Sequence, residues 1–124
     1  MQVFSGIDLV EIHRFQQLNP AIRGRFFERV FTKQELAYIN NQDQKAAGIF
    51  AAKEACAKAL GCGIGPIRWV DIEITHTPEN QPQICLHAQA QQLALSRKIT
   101  SWSVSITHTK NTAAAVVVAV AADE

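Results

Sequence analysis

Residues Gln44–Leu60 read QKAAGIFAAKEACAKAL, and this stretch decides how the chain folds. Seven alanines and three lysines in seventeen positions make it the strongest helix-forming segment of the sequence. Gly61 follows at the place where a left-handed residue ends a helix. On that helix Glu54 and Lys58 lie about 40° apart on one face, four residues apart in sequence. Their angular neighbours are Ala47, Phe50, Ala51, Ala57 and Gly61, all apolar or small. A solvated face would carry more charge. The pair is therefore expected to be partly buried and to need a partner, a metal or a phosphate. An ordinary helix ion pair meets the same local pattern.

Working outward from this helix, Val3–Val10 reads as a first strand with Asp8 near its end, and Glu11–Leu18 reads as helical up to Asn19-Pro20. Ala21–Val30 is expected as a short helix anchored by Phe26, Phe27 and Val30. Thr32 followed by Glu35 is a capping-box signature for a helix through about Ile39. On the C-terminal side, Trp69–Thr75 alternates Val70, Ile72 and Ile74 with Asp71, Glu73 and Thr75, which predicts a strand with one wet face. Pro78–Gln81 turns the chain and Gln83–His87 returns it. A helix over Ala88–Lys98 and strands over Ser101–Thr109 and Ala113–Val120 complete the set. The run Val116, Val117, Val118 predicts a strand buried on both faces. Helices and strands alternate too loosely for a doubly wound sheet. The fold class is α+β, a mainly antiparallel sheet packed with the long central helix.

The totals agree with one domain spanning 1–124, since 48% apolar residues suffice for a core at this length. Three cysteines, Cys56, Cys62 and Cys85, fit neither a disulfide framework nor a Cys-x-x-Cys metal knuckle, so a reducing, cytoplasmic setting is expected. The N-terminus shows no signal-peptide pattern, and the longest apolar run, Ala113–Ala122, is about half a membrane span. A net charge of +1 argues against general nucleic-acid binding. The charge is uneven, however. Arg14, Arg23, Arg25, Arg29 and Lys33 face only Glu28 between positions 14 and 33, a net of +4. Such a segment suits an acidic partner or phosphates.

Asp8 ends an apolar strand in Gly6-Ile7-Asp8-Leu9-Val10. It could cap a helix opening at Glu11 or, with Glu54, form the two-carboxylate site that a hard cation such as Mg²⁺ takes. Gly61-Cys62-Gly63-Ile64-Gly65-Pro66 follows a helix, so it is neither a dinucleotide fingerprint nor a Walker loop. It reads as a helix stop with a tight turn, or as backbone able to approach a pyrophosphate closely. His13, His76, His87 and His108 show no metal spacing. Ser105-Ile106-Thr107-His108-Thr109 gathers hydroxyls and an imidazole next to a turn at Lys110-Asn111, as either phosphate binding or plain strand-end polarity would.

Taken together, these motifs resemble the 4′-phosphopantetheinyl transferase family, in its small holo-[acyl-carrier-protein] synthase form. The resemblance rests on Gly6-Ile7-Asp8 and on Phe50-Ala51-Ala52-Lys53-Glu54-Ala55-Cys56-Ala57-Lys58, some forty residues on. It extends through Arg25–Thr32, Gly61-x-Gly63-Ile64-Gly65, Asp71-Ile72-Glu73 and Ser105–Lys110, nearly the whole chain. It implies that Asp8 and Glu54 hold Mg²⁺ at the pyrophosphate of coenzyme A, with Lys58 neutralising phosphate charge beside the backbone of Gly61, Gly63, Ile64 and Gly65. His108 and Thr109 would contact the nucleotide end. A carrier serine would attack the β-phosphate and release adenosine 3′,5′-bisphosphate, with Glu54 or a metal-bound water taking its proton. The resemblance further implies a homotrimer with sites between subunits, and docking of acyl carrier protein on Arg14, Arg25, Phe26 and Arg29. Two positions depart from the family pattern. Ile49 stands where an Arg usually precedes the aromatic, and Ser5 replaces an apolar residue before Gly6. A carrier-binding module without activity and a Mg²⁺-dependent nucleotide hydrolase are the rival readings.

Overall fold

The computed structural model describes residues 1–123. Its elements run β1 (Gln2–Glu11), α1 (His13–Gln16), α2 (Pro20–Val30), α3 (Lys33–Ile39), α4 (Asp43–Leu60), a 3₁₀ turn (Trp69–Asp71), β2 (Ile72–His76), β3 (Pro82–Leu86), α5 (Ala88–Ser96), β4 (Ile99–His108) and β5 (Thr112–Ala121). Every strand pair is antiparallel. One sheet has the order β1-β5-β4, and β2-β3 forms a separate hairpin. The α+β expectation holds.

Small side chains set the geometry of the core. The inward face of β5 offers Ala113, Ala115, Val117, Ala119 and Ala121, and α4 answers with buried Ala47, Ala51, Ala52, Ala55 and Ala59. With so little between them, helix and sheet approach closely. At Gly6 a Cβ would fall 1.9 Å from the carbonyl oxygen of Ala55, so no other residue lets β1 lie there. At the other end of the helix, Gly48 presses on Ile106 of β4, where a Cβ would meet Cγ2 at 3.0 Å. The helix therefore crosses the sheet from β4 at its N-terminal half to β1 at its C-terminal half.

Local signals start and stop the helices, although Asn19-Pro20, expected to end the segment before it, opens the helix after it. Asn19 Oδ1 accepts from Ile22 N–H at 3.0 Å with Pro20 opening α2, a cap that stabilises by about 1 kcal/mol. The Thr32–Glu35 capping box is complete. Gly61 ends α4 at φ +79°.

Several expectations need correction. Residues 11–18 are helical only over α1, because β1 continues pairing through Glu11↔Thr112 and Ile12 N–H donates to Asn111 O at 2.9 Å. Asp8 is thus mid-strand, and the capping alternative falls. Trp69–Asp71 is a 3₁₀ turn, and β2 begins only at Ile72. Its predicted wet face is absent: Asp71 and Glu73 are both buried, each held by hydrogen bonds. Nor does this chain bury both faces of the valine run. Val117 points to α4, whereas Val116 lies outward beside Ile7, and that outer face stays open. Among the described residues, no helix is long and apolar enough to cross a membrane.

Candidate active site

The close contact at Gly6 is what builds the site. Side chains alternate along β1, so Asp8 shares Gly6's inward face and arrives beside α4 one step farther along the strand. Lys58 reaches across from the helix, donating to Asp8 Oδ1 at 3.2 Å and to Ile7 O at 2.9 Å. Glu54 stands one helical turn before Lys58. Burial first, and then the Asp8 charge, push the Glu54 carboxyl above its usual range, against the opposing pull of Lys58 and Arg14. Lys58 thus pairs with Asp8 from an exposed position, and Glu54 stands near enough to feel both charges. The two carboxylates offer hard oxygen ligands, which fits a Mg²⁺ held by one or two carboxylates.

Lys53, adjacent in sequence, does something else. A step of about 100° turns it away from Glu54 and into the interior. There its ammonium meets Glu35 Oε1 at 2.6 Å and donates to Trp69 O and Ile72 O at 3.1 and 2.7 Å. Glu35 in turn accepts from the backbone of Thr32 and Ile74. Burial lowers the Lys53 pKa and raises that of Glu35, while their mutual attraction opposes both shifts. This fully buried pair fastens α3, the 3₁₀ turn and β2 to α4. No local pattern in the sequence marks this pair, since Glu35 is read there only as half of a capping box.

The other predicted site residues lie elsewhere in the chain. In the glycine loop, Gly61 N–H donates to Lys58 O, and the Cys62 and Gly63 N–H groups to Ala57 O, while Gly65 N–H bonds Ile67 O. These amides are thus engaged within the loop and the helix end. Gly61 also leaves room for the Arg97 guanidinium, which a Cβ would meet at 2.7 Å. His108 ends β4, the edge strand opposite β1, and Thr109 opens the turn after it. Register places Ile106, Ala115 and Asp8 in one row across the sheet, so the His108 end lies two strand spacings, about 10 Å, from β1. The Thr109 hydroxyl accepts from Asn111 and Thr112 N–H in the β4–β5 turn.

His108 lines a cleft of about 180 Å³ with Tyr38, Lys45, Ile49 and His76. Tyr38 stacks on His76 at 3.8 Å and 13°, and Lys45 Nζ sits 4.7 Å over the Tyr38 ring. Burial first, then Lys45, lower the His76 pKa. Neither Tyr38 nor Lys45 carried a sequence signal, since they converge only when α3, α4 and β2 pack. Ile49, at the departing position, is buried in the same wall. In the basic segment, Arg14, Arg25 and Arg29 are exposed, whereas Arg23 is tied to Asp43 at 2.6 Å and to Phe15 O. Phe26 is half-buried, its ring 5.9 Å from Phe15 and 5.8 Å from Phe50. Together with Val10, Arg14 and Leu18, these three rings line a cavity of about 120 Å³.

Comparison with known proteins agrees with this arrangement. Residues 5–119 match the model of the 4′-phosphopantetheinyl transferase superfamily. The chain belongs to that family. Within it, the chain is an enzyme of the holo-[acyl-carrier-protein] synthase group. It is 42% identical over 120 residues to the holo-[acyl-carrier-protein] synthase of Alkaliphilus metalliredigens, covering 92% of this chain and 95% of that one. The Thermoanaerobacter sp. protein of the same name is 36% identical over 127 residues, with 100% and 91% covered. Among solved structures, the Helicobacter pylori holo-[acyl-carrier-protein] synthase in complex with coenzyme A superposes with a TM-score of 0.85 at 37% identity. That match covers 94% of this chain and 99% of the other. The two segments that carry the resemblance, Gly6-Ile7-Asp8 and Phe50–Lys58, are those that Gly6 brings into contact.

Proposed function

We propose that this chain transfers 4′-phosphopantetheine from coenzyme A to a serine hydroxyl of an acyl carrier protein, with Mg²⁺ at Asp8 and Glu54, releasing adenosine 3′,5′-bisphosphate. The observation that carries the proposal is the convergence of Asp8, Glu54 and Lys58 at the β1–α4 contact. Mg²⁺, when bound, supplies charge neutralisation and orientation at the pyrophosphate. Lys58 adds a mobile point charge for the phosphate oxygens, since its exposed ammonium can swing from Asp8 toward a ligand. Asp8 and Glu54 stand on a strand and a helix locked together at Gly6, so their separation is fixed before substrate arrives. Phosphoryl-type transfer needs mainly such positioning and charge.

In a single chain the nucleotide-binding candidates His108 and Thr109 lie at the sheet edge away from Asp8. An assembly that brings one copy's β4 edge to another's β1 edge would complete the site. The outer sheet face supports it: Ile7 and Leu9 are 68% and 69% exposed, and Val3 and Val116 extend the same apolar patch. The assembly proposed is a homotrimer, which light scattering would show as three chain masses. Arg14, Arg25 and Arg29 around Phe26 form the surface for the acidic carrier. Lys45 and His108 offer positive or hydrogen-bonding groups for a nucleotide phosphate. The three cysteines, all free, suit a reducing cytoplasm.

The direct test is the intact mass of an apo-carrier after incubation with the protein, coenzyme A and Mg²⁺. A gain of one phosphopantetheine arm is expected. Asp8→Asn or Glu54→Gln should lower the rate at least 100-fold, the usual scale for loss of one electrostatic group at the reacting centre. Near-wild-type turnover of either variant at ordinary Mg²⁺ levels would remove the two-carboxylate site. Cleavage of coenzyme A without carrier would instead favour a hydrolase.

A further inference from the structure

Glu73, Cys85 and His87 form a cluster that shares no residue with the site at Asp8, Glu54 and Lys58. Glu73 and Cys85 are direct cross-strand partners in the β2–β3 hairpin. His87 follows Cys85 by two residues, the spacing that returns a side chain to the same face of a strand. Its N–H donates to Asp71 O at 2.8 Å, so the ladder extends one step past β3 and holds that alternation. As a result, a Glu73 carboxylate oxygen, Cys85 Sγ and a ring nitrogen of His87 all lie within 4.8 Å of one another. Glu73 is well ordered for the purpose. Thr32 donates to its Oε2 at 2.6 Å, which leaves Oε1 facing His87 Nε2 at 3.0 Å. The nearby Lys53 ammonium is already taken up by Glu35.

We propose that Glu73, Cys85 and His87 bind a zinc-type divalent cation with three protein ligands. Thiolate and imidazole donors select Zn²⁺ or a similar borderline ion over Mg²⁺, which wants oxygen ligands. The nitrogen and oxygen need little movement, while Cys85 Sγ, within 4.8 Å of both, closes to about 3.6 Å by a turn of its exposed side chain. Tetrahedral bonds of ~2.0–2.1 Å place N and O about 3.3 Å apart, a few tenths of an ångström beyond their present hydrogen bond. On binding, the Cys85 thiol proton leaves to solvent, and His87 coordinates through Nε2 with its hydrogen on Nδ1. Thr32 keeps Oε2, as the outer hydrogen bond that orients a ligating carboxylate. The fourth position is open to water, since His87 and Cys85 face solvent. The ion would tie the hairpin to α5, which begins immediately after His87, and through Thr32 to α3.

Co²⁺ titration of the reduced full-length chain tests this directly. With excess Mg²⁺ present to fill the carboxylates at Asp8 and Glu54, one equivalent per chain should give a thiolate-to-metal charge-transfer band and tetrahedral d–d absorption, both displaced by Zn²⁺. Cys85→Ser should abolish the charge-transfer band, and His87→Ala should weaken affinity at least tenfold, the scale on which even supporting residues act. Cys62→Ser should bind as wild type. Both Cys85 and His87 are exposed, so their variants are expected to fold, and circular dichroism checks this. Zn²⁺ should also raise the melting temperature of wild type but not of Cys85→Ser. A wild-type titration without a thiolate band, or a band that survives in Cys85→Ser, overturns the proposal. Because the readout is metal binding, its failure leaves the transferase reading untouched.

Discussion

Gly6→Ala is the substitution with the most to say, because one methyl group tests both the packing and the site. Its Cβ would sit 1.9 Å from Ala55 O, 2.8 Å from Ala55 C and 3.0 Å from Ala59 N, all of them helix backbone. A carbon and a carbonyl oxygen in contact stand about 3.3 Å apart, so β1 and α4 must part by roughly 1.4 Å. Backbone cannot yield as a side-chain tip would, and overpacking of this kind costs about 3 kcal/mol, toward the upper end of the usual range. The unfolding midpoint should fall by about 10 °C for a chain of this length. Parting the elements also draws Asp8 from Glu54 and Lys58 by about 1 Å, a misplacement that can cost about 100-fold in rate. Urea denaturation measures the first effect, and carrier mass gain under saturating coenzyme A, at a temperature where the variant is folded, measures the second. If stability falls and transfer does not, the contact is structural and does not set the site. If neither changes, the close approach itself is wrong.

Lys53→Met should destabilise by about 3–5 kcal/mol, because Glu35 is left charged in a fully buried position; joint replacement with Glu35→Leu should recover most of the loss in a double-mutant cycle followed by urea. In metal-free buffer, Glu54→Gln should melt above wild type at neutral pH. The folded Glu54 binds its proton more tightly than the unfolded chain does, so wild-type stability falls as pH rises from 4.5 through the raised pKa. The advantage of the variant should therefore shrink as pH is lowered through that window, and a pH-independent difference would contradict the burial of the carboxylate. Replacing both Arg25 and Arg29 by Glu should weaken carrier use strongly with coenzyme A binding nearly unchanged. The wild type should lose carrier affinity with rising ionic strength, and equal salt responses of the two proteins would reduce this face to ordinary surface.

The local part of this fold was legible and the long-range part was not. Alanine content, the Thr32–Glu35 box and Gly61 each act within a few residues, and each appears where the sequence places it. The errors fall where a distant strand decides. Residues 11 and 12 leave a helical pattern because β5 and its turn offer hydrogen bonds to them. Asp71 and Glu73 looked like a wet face because alternation cannot show that Arg68, Thr32 and His87 wait to satisfy them. Cys85 and His87 showed no metal spacing for the same reason: Glu73 joins them from across the hairpin.

The site itself was legible only as two motifs, and the structure supplies the reason they belong together. Adjacent charges on α4 diverge by about 100°, so Lys53 enters the core while Glu54 and Lys58 stay at its margin. The interior lysine holds α3 and β2 to one side of the helix, and Gly6 holds β1 to the other. Between them they fix both the depth and the rotation of α4. A helix free to roll by even part of that angle would carry Glu54 away from Asp8 and expose Lys53. The glycine of the first motif and the first lysine of the second thus do no chemistry in the site. They hold Asp8 and Glu54 at one separation, the constraint that the proposed two-carboxylate centre requires on a chain whose other site candidates lie across the sheet.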